Sequence, residues 1–148
     1  MEPVFEVVRI RQEIRDLKED YARHKVGSPA DAAELATKVI GDEDREVFLV
    51  MMLNTKNQVV GLHRCHVGSL NASIVHPREV MKSAILNNAA SIIVSHQHPS
   101  GQCDPSREDI DVTKRLAEAG RIIGIELLDH VIVNYKGDFY SMRENAKF

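Results

Sequence analysis

The chain has 148 residues, 43% of them hydrophobic and 28% charged, a balance that excludes a disordered class and fits one soluble globular domain. A net charge of −3 excludes an overall basic field for nucleic acid. Cys65 and Cys103 are too few for a disulfide framework and read as reduced thiols; no signal-peptide core and no run near the ~20 apolar residues of a membrane span is visible, so the expected location is cytoplasmic, with no membrane partner.

Residues 1–27 are expected to hold an N-terminal strand and a charged segment, ahead of one domain over residues 28–148. Val4 to Ile10 (VFEVVRI) is rich in β-branched residues and predicts the strand. Arg11 to Lys25 mixes both signs of charge, which predicts a solvated helix or mobile segment rather than a nucleic-acid arm. Ser28 as N-cap, Pro29 in the first turn and Gly41 beyond the end bound a helix over Pro29 to Ile40. Val47 to Leu53 (VFLVMML) is apolar throughout, the pattern of a strand covered on both faces. A turn at NTKN leads to a second strand, Gln58 to Val67. A helix beginning at Pro77 is predicted to bury Met81, Ala84, Ile85 and Ala89, and Ser91 to Ser95 is a further buried strand that runs straight into His96. Ser106 to Ala119 predicts a helix with Ile110, Thr113, Leu116 and Ala117 inward and Gly120 as its stop. RIIGIELLDHVIVNY, the turn KGD and FYSM supply the last strands. Strands alternate with helices early and pair late, so the expected class is α/β, a mixed sheet flanked by helices on both faces.

The loop SHQHPSGQCDPSRED carries the chemistry. On extended backbone His96 and His98 point to one side, and two imidazoles can share an ion at Zn–N distances of about 2.0–2.1 Å. Asp109, in the first turn of the next helix, is a third ligand within reach. Three protein ligands and a water form the open, catalytic type of zinc site. The same residues also admit a plainer reading, in which Ser106 and Asp109 form a capping box at a helix start. The residues alone leave both readings open.

H-x-H-P, a spacer and S-x-x-D resemble the JAMM signature of MPN-type metalloproteases. The stretch from HPREVMKSAILNNAASIIVSHQHPSG to LLDHVIV resembles the RadC-like branch of that group, with similarity running from about Ser28 to the C-terminus. The resemblance implies an MPN-type fold, three-layered like that of cytidine deaminases, and Zn2+ held by His96, His98 and Asp109. It implies Glu46, just before VFLVMML, as general base and Ser106 as a donor to the oxyanion. The activity implied is hydrolysis of peptide or isopeptide bonds, with a peptide or protein substrate. The alternative is a non-catalytic or nucleic-acid-associated accessory role in DNA repair or mobile-element function. RadC-like proteins of full length carry a region resembling a helix-hairpin-helix module, for which the segment before Ser28 leaves no room, so a short form is expected. A homodimer is one expected form of so small a domain.

Other groups compete less well. His63 and Cys65 are expected on one face of a strand and His66 on the other, which scatters HRCH as a ligand set, and His76 lies further on. Cys103 reads as a loop thiol, with a fourth ligand or a redox brake as its functional reading. His130 reads as a hydrogen-bonded histidine near a strand end, with Asp129 beside it as support for the site. Glu79, Glu108 and Glu126 rival Glu46 as base on sequence alone. A zinc deaminase would need H-x-E with P-C-x-x-C, and the chain has no C-x-x-C.

Overall fold

A strand with no polar residue is stable only where neighbours cover both its faces. Val47–Leu53 meets that condition as β1 in the computed structural model, which describes residues 1–17, 24–70 and 75–148. β1 lies between β2 (Val59–Val67) and β3 (Ser91–Gln97), antiparallel to both. β3 pairs in parallel with β4 (Glu126–Val133), and β5 (Phe139–Ser141) closes the order β2-β1-β3-β4-β5. Alternate β1 side chains feed two cores. Phe48, Val50 and Met52 face α2 (Pro77–Leu86) and α3 (Arg107–Ile123), while Leu49, Met51 and Leu53 face α1 (Pro29–Ile40). The three-layered mixed sheet expected from the sequence is the fold observed.

The helices form where their signals predict, because each start is prepaid by a cap or a proline. The Ser28 hydroxyl accepts the Asp31 N–H, and Pro29 needs no partner at the first turn. α1 then buries Ala32, Leu35, Ala36 and Ile40 against the sheet, each large side chain contributing on the order of 1.5–3 kcal/mol.

Three expectations need correction, and a fourth is narrowed. Val4–Ile10 forms no strand; residues 1–17 are exposed, without regular structure and paired with no strand among the described residues. Within the charged stretch Arg11 to Lys25, residues 11–17 form no helix, and residues 18–23 lie outside the described residues. Ile85 is 52% exposed, and Ala89 is buried beyond the end of α2, so its core face is Val80, Met81, Ser83 and Ala84. Residues 121–123 (RII), expected in a strand, extend α3, whose buried face is Asp109, Val112, Thr113, Leu116 and Gly120 rather than one including Ile110. Gly120 sits inside α3 because a Cβ there would collide with the Ile125 carbonyl, and the helix ends at Gly124, which takes the left-handed conformation at φ +88°.

Candidate metal centre

β3 delivers His96 to the face it shares with Ile92 and Val94, toward α3. Pairing continues one residue past the strand, where the His98 N–H donates to the Val133 carbonyl. The chain then turns back on itself, with the Gly101 N–H bonded to the His98 carbonyl and Gly101 at φ +92°. Asn134 grips this loop by donating to the Gly101 carbonyl at 2.8 Å. Ser106 caps α3, accepting the Asp109 N–H at 3.0 Å, and Asp109 Oδ2 accepts the Ser106 N–H at 2.9 Å. The capping box therefore does form, and it aims Asp109 at the histidines. The capping box and the candidate metal group are compatible in one structure.

His96 Nε2 lies 3.1 Å from His98 Nε2 and 3.3 Å from Asp109 Oδ1, and His98 Nε2 lies 3.3 Å from Asp109 Oδ2. A tetrahedral shell with bonds of about 2.0–2.1 Å places its ligand atoms about 3.3 Å apart. The two imidazoles, and each imidazole with its own oxygen of the Asp109 carboxylate, thus stand near the spacing that one zinc-sized ion asks of its donors. Their chemistry agrees. The Gln102 carbonyl takes the Nδ1 proton of His98 at 2.7 Å, so a neutral His98 presents a lone pair at Nε2. His96, His98 and Asp109 form a group that can hold a metal ion, and among the described residues no fourth histidine, cysteine or acidic group joins them.

Proton balance reflects the same convergence. The hydrogen bond with Asp109 raises the His98 pKa against the opposing effect of burial, helped by the Gln102 carbonyl and the Glu46 charge. Burial opposes ionisation of Asp109, yet the hydrogen bonds with His96 and His98 and the Ser106 amide outweigh it. Its carboxyl stays well below the ordinary range, and its place in the first turn of α3 also favours the anion.

His130 is not near a strand end but inside β4, opposite Val94, and fully buried. Its Nε2 lies 2.7 Å from His96 Nδ1, and its Nδ1 lies 2.5 Å from Thr113 Oγ1, which also bonds the Asp109 carbonyl at 2.7 Å. Burial, and then the charge on His96, hold His130 well below its ordinary pKa. Phe48 packs on both rings, stacked on His96 and edge-on to His130. The contact of His130 with His96 and of Thr113 with Asp109 escaped the sequence reading, although a histidine inside the apolar run LLDHVIV was its signal.

Glu46 ends the approach to β1, half-buried, with Oε2 accepting the Leu70 N–H at 3.1 Å and its charge felt at His98. Gln97 points away from the histidines, as an alternating strand requires. It is fully buried, accepts the Val47 N–H at 2.8 Å and donates to the carbonyls of Glu43 and Arg45. The residues on either side of Glu46 are thereby fastened to the end of β3.

The rival groups lie elsewhere. Glu79 pairs with Lys82 on the surface, Glu108 is exposed on α3, and Glu126 opens β4 at the sheet end opposite His96. Asp129 links the C-terminal segment to β4, accepting from Ser141 Oγ, the Arg143 N–H and, at 2.7 Å, the backbone N–H of His130. A bulge in β2 sets His63 opposite Val50 and His66 opposite Phe48, so those two histidines share a face, contrary to simple alternation. Even so HRCH forms no ligand group: His63 Nδ1 bonds Ser83 Oγ, and burial pushes the Cys65 thiol up to about 12. Cys65 and Cys103 are both free thiols. No described helix is long and apolar enough to cross a membrane.

Over residues 26–147 the sequence matches the family described as the RadC-like JAB domain. It is 57% identical over 126 residues to a UPF0758 protein of Geobacillus sp. (strain WCH70), covering 84% of this chain and 54% of that relative. It is 53% identical over 124 residues to a UPF0758 protein of Rubrobacter xylanophilus, again covering 84% of this chain and 54% of the relative. With a UPF0758 protein of Clostridium beijerinckii it shares 45% identity over 143 residues, 97% of this chain and 62% of the relative. The chain spans about half to three-fifths of the length of these curated relatives.

Proposed function

The chain belongs to the RadC-like JAB domain family, and from that membership we propose that it is a zinc-dependent hydrolase of peptide or isopeptide bonds. The observation that carries the proposal is the convergence of His96 Nε2 and His98 Nε2, 3.1 Å apart, on the Asp109 carboxylate, whose Oδ1 lies 3.3 Å from the first and whose Oδ2 lies 3.3 Å from the second. Nothing in a capped helix start requires two imidazoles to meet the capping carboxylate. An open position beside three protein ligands is the arrangement of catalytic rather than structural zinc. Zinc bound there supplies Lewis acidity and lowers the pKa of a coordinated water to about 7.

The residues of the chain divide the remaining work. Asp109 brings a negative charge fixed by the capping box, and His98 is held in its ligand form by the Gln102 carbonyl. Glu46 is the general base of the proposal. Leu70 anchors its Oε2, while Oε1 has no hydrogen-bond partner among the described residues and is the oxygen that takes a proton from the attacking water and returns it to the leaving amine. Ser106 uses a lone pair on the Asp109 N–H, so its hydroxyl proton remains to donate to the developing oxyanion.

The test is a peptide library incubated with zinc-loaded protein and with its Glu46→Gln variant, with new amino termini read by mass spectrometry. The proposal expects new termini from the parent alone. A parent that cleaves nothing, or a variant that cleaves equally, contradicts the hydrolase reading or the choice of base respectively.

A further inference from the structure

We propose that His130 and Thr113 are positioning residues that lock His96 in its metal-ligating tautomer, through a ring whose hydrogen bonds run from His96 through His130 and Thr113 to the Asp109 carbonyl and which the metal site closes between His96 and the Asp109 side chain. The inference rests on the reading of His96 and Asp109 as ligands, and it concerns two side chains outside the ligand set.

The direction of the ring follows from one group that has no proton to give. Thr113 Oγ1 lies 2.7 Å from the Asp109 backbone carbonyl. A carbonyl only accepts, so the single hydroxyl proton of Thr113 goes there. What Thr113 then offers His130 Nδ1, at 2.5 Å, is a lone pair, and His130 must carry its proton on Nδ1. A neutral imidazole has one N–H, which makes His130 Nε2 an acceptor. It faces His96 Nδ1 at 2.7 Å, so that nitrogen bears the proton of His96. The lone pair of His96 is left on Nε2, the nitrogen directed at Asp109 Oδ1 and His98 Nε2.

Bulk solvent does not reach these groups. His96, Thr113 and His130 each have 0% exposure, and a second proton on His130 would bury a charge against Phe48, whose ring stands edge-on at a centroid distance of 5.6 Å. Asp109 therefore acts twice. Its side chain meets the metal site, and its carbonyl starts the chain of bonds that orients the opposite ligand. Ligating histidines ordinarily hand their other N–H to a carboxylate, a carbonyl or water. Here a neutral histidine fills that place and passes the orientation back to the helix bearing Asp109, which ties β3, β4 and α3 into one setting of the site.

The experiment uses the purified chain, with zinc affinity read by competition against a chromophoric chelator and imidazole tautomers read by nitrogen NMR on the zinc-loaded protein. The parent is expected to show Nδ1–H signals for both His96 and His130, with no proton on His130 Nε2. His130→Phe fills the space without an acceptor and should weaken zinc binding about 10- to 100-fold, with the His96 signal lost. Thr113→Val keeps the shape and should weaken binding in the same direction, and Thr113→Ser should restore it to within a few-fold. Because Thr113→Val is nearly isosteric, it decides the matter even where His130→Phe folds poorly. A His130 proton on Nε2, or a folded Thr113→Val with parental affinity and spectrum, overturns the ring while leaving the metal site intact. A parent that binds no zinc overturns both this inference and the reading beneath it.

Discussion

Replacing Gln97 by Ala tests how the segment carrying Glu46 is held. The side chain is fully buried, and its amide makes three contacts with backbone, to Val47 N–H at 2.8 Å, to the Glu43 carbonyl at 3.3 Å and to the Arg45 carbonyl. Each such bond contributes about 1 kcal/mol net, and a buried N–H left without a partner costs about 1–3 kcal/mol. The two carbonyls stand near the exposed segment before β1 and can turn to water, so most of the loss comes from Val47. The total is about 3 kcal/mol, which for a domain of this size lowers Tm by roughly 6–12 °C. Urea denaturation of parent and variant measures it, and metal analysis of the same samples separates positioning from ligation. Zinc content should not change, because Gln97 lies on the other side of β3 from His96 and His98. A loss below about 1 kcal/mol would refute the claim that this amide fastens β1 to β3, and loss of zinc would show that its effect reaches the ligands instead.

Three further expectations concern the candidate site. Glu46→Gln should keep its zinc and lose hydrolysis, read by metal analysis beside the library assay, since its side chain is placed to move a proton and not to bind the ion. Ser106→Ala should cost about 1 kcal/mol through the lost cap, whereas Ser106→Gly should cost only a few tenths; a fall in turnover for Ser106→Gly far beyond that loss identifies the hydroxyl as an oxyanion donor, and unchanged turnover limits it to the cap. Metal-free protein should lose stability as pH falls below about 6.5, because the unfolded chain protonates His130 there and the buried native side chain does not. That share is about 1 kcal/mol between pH 6.5 and 5.5 and approaches about 1.4 kcal/mol per pH unit below that. His98, raised in the native state, adds an opposing slope near pH 6.5 that the parent and His130→Phe share. Denaturation at pH 6.5 and 5.5 should show the share missing from His130→Phe, and an unchanged slope would contradict the burial argument.

Local signals carried most of the architecture. Ser28 with Pro29, Pro77 and Ser106 open the three helices because caps and prolines act within one turn, and the apolar runs at Val47–Leu53 and Ser91–Gln97 became covered strands because their neighbours leave them no wet face. The candidate metal group was legible for the same reason: His96 and His98 are two residues apart on extended chain, and Asp109 is a local capping partner. What the sequence could not show depends on distant pairing. Thr113 and His130 meet because β3 and β4 run parallel with α3 as the crossover between them. The bulge that turns His66 beside His63 is fixed by register against β1. Val4–Ile10 shows the converse failure, since strand propensity without a pairing partner makes no strand.

The most direct test of the central claim is the zinc content of the purified chain and of its His96→Ala and Asp109→Ala variants, each folded as judged by circular dichroism. One zinc per parent chain and none in either variant is the predicted result. Full zinc content in both variants would contradict the assignment of His96, His98 and Asp109 as the metal centre, and with it the mechanism built on that centre.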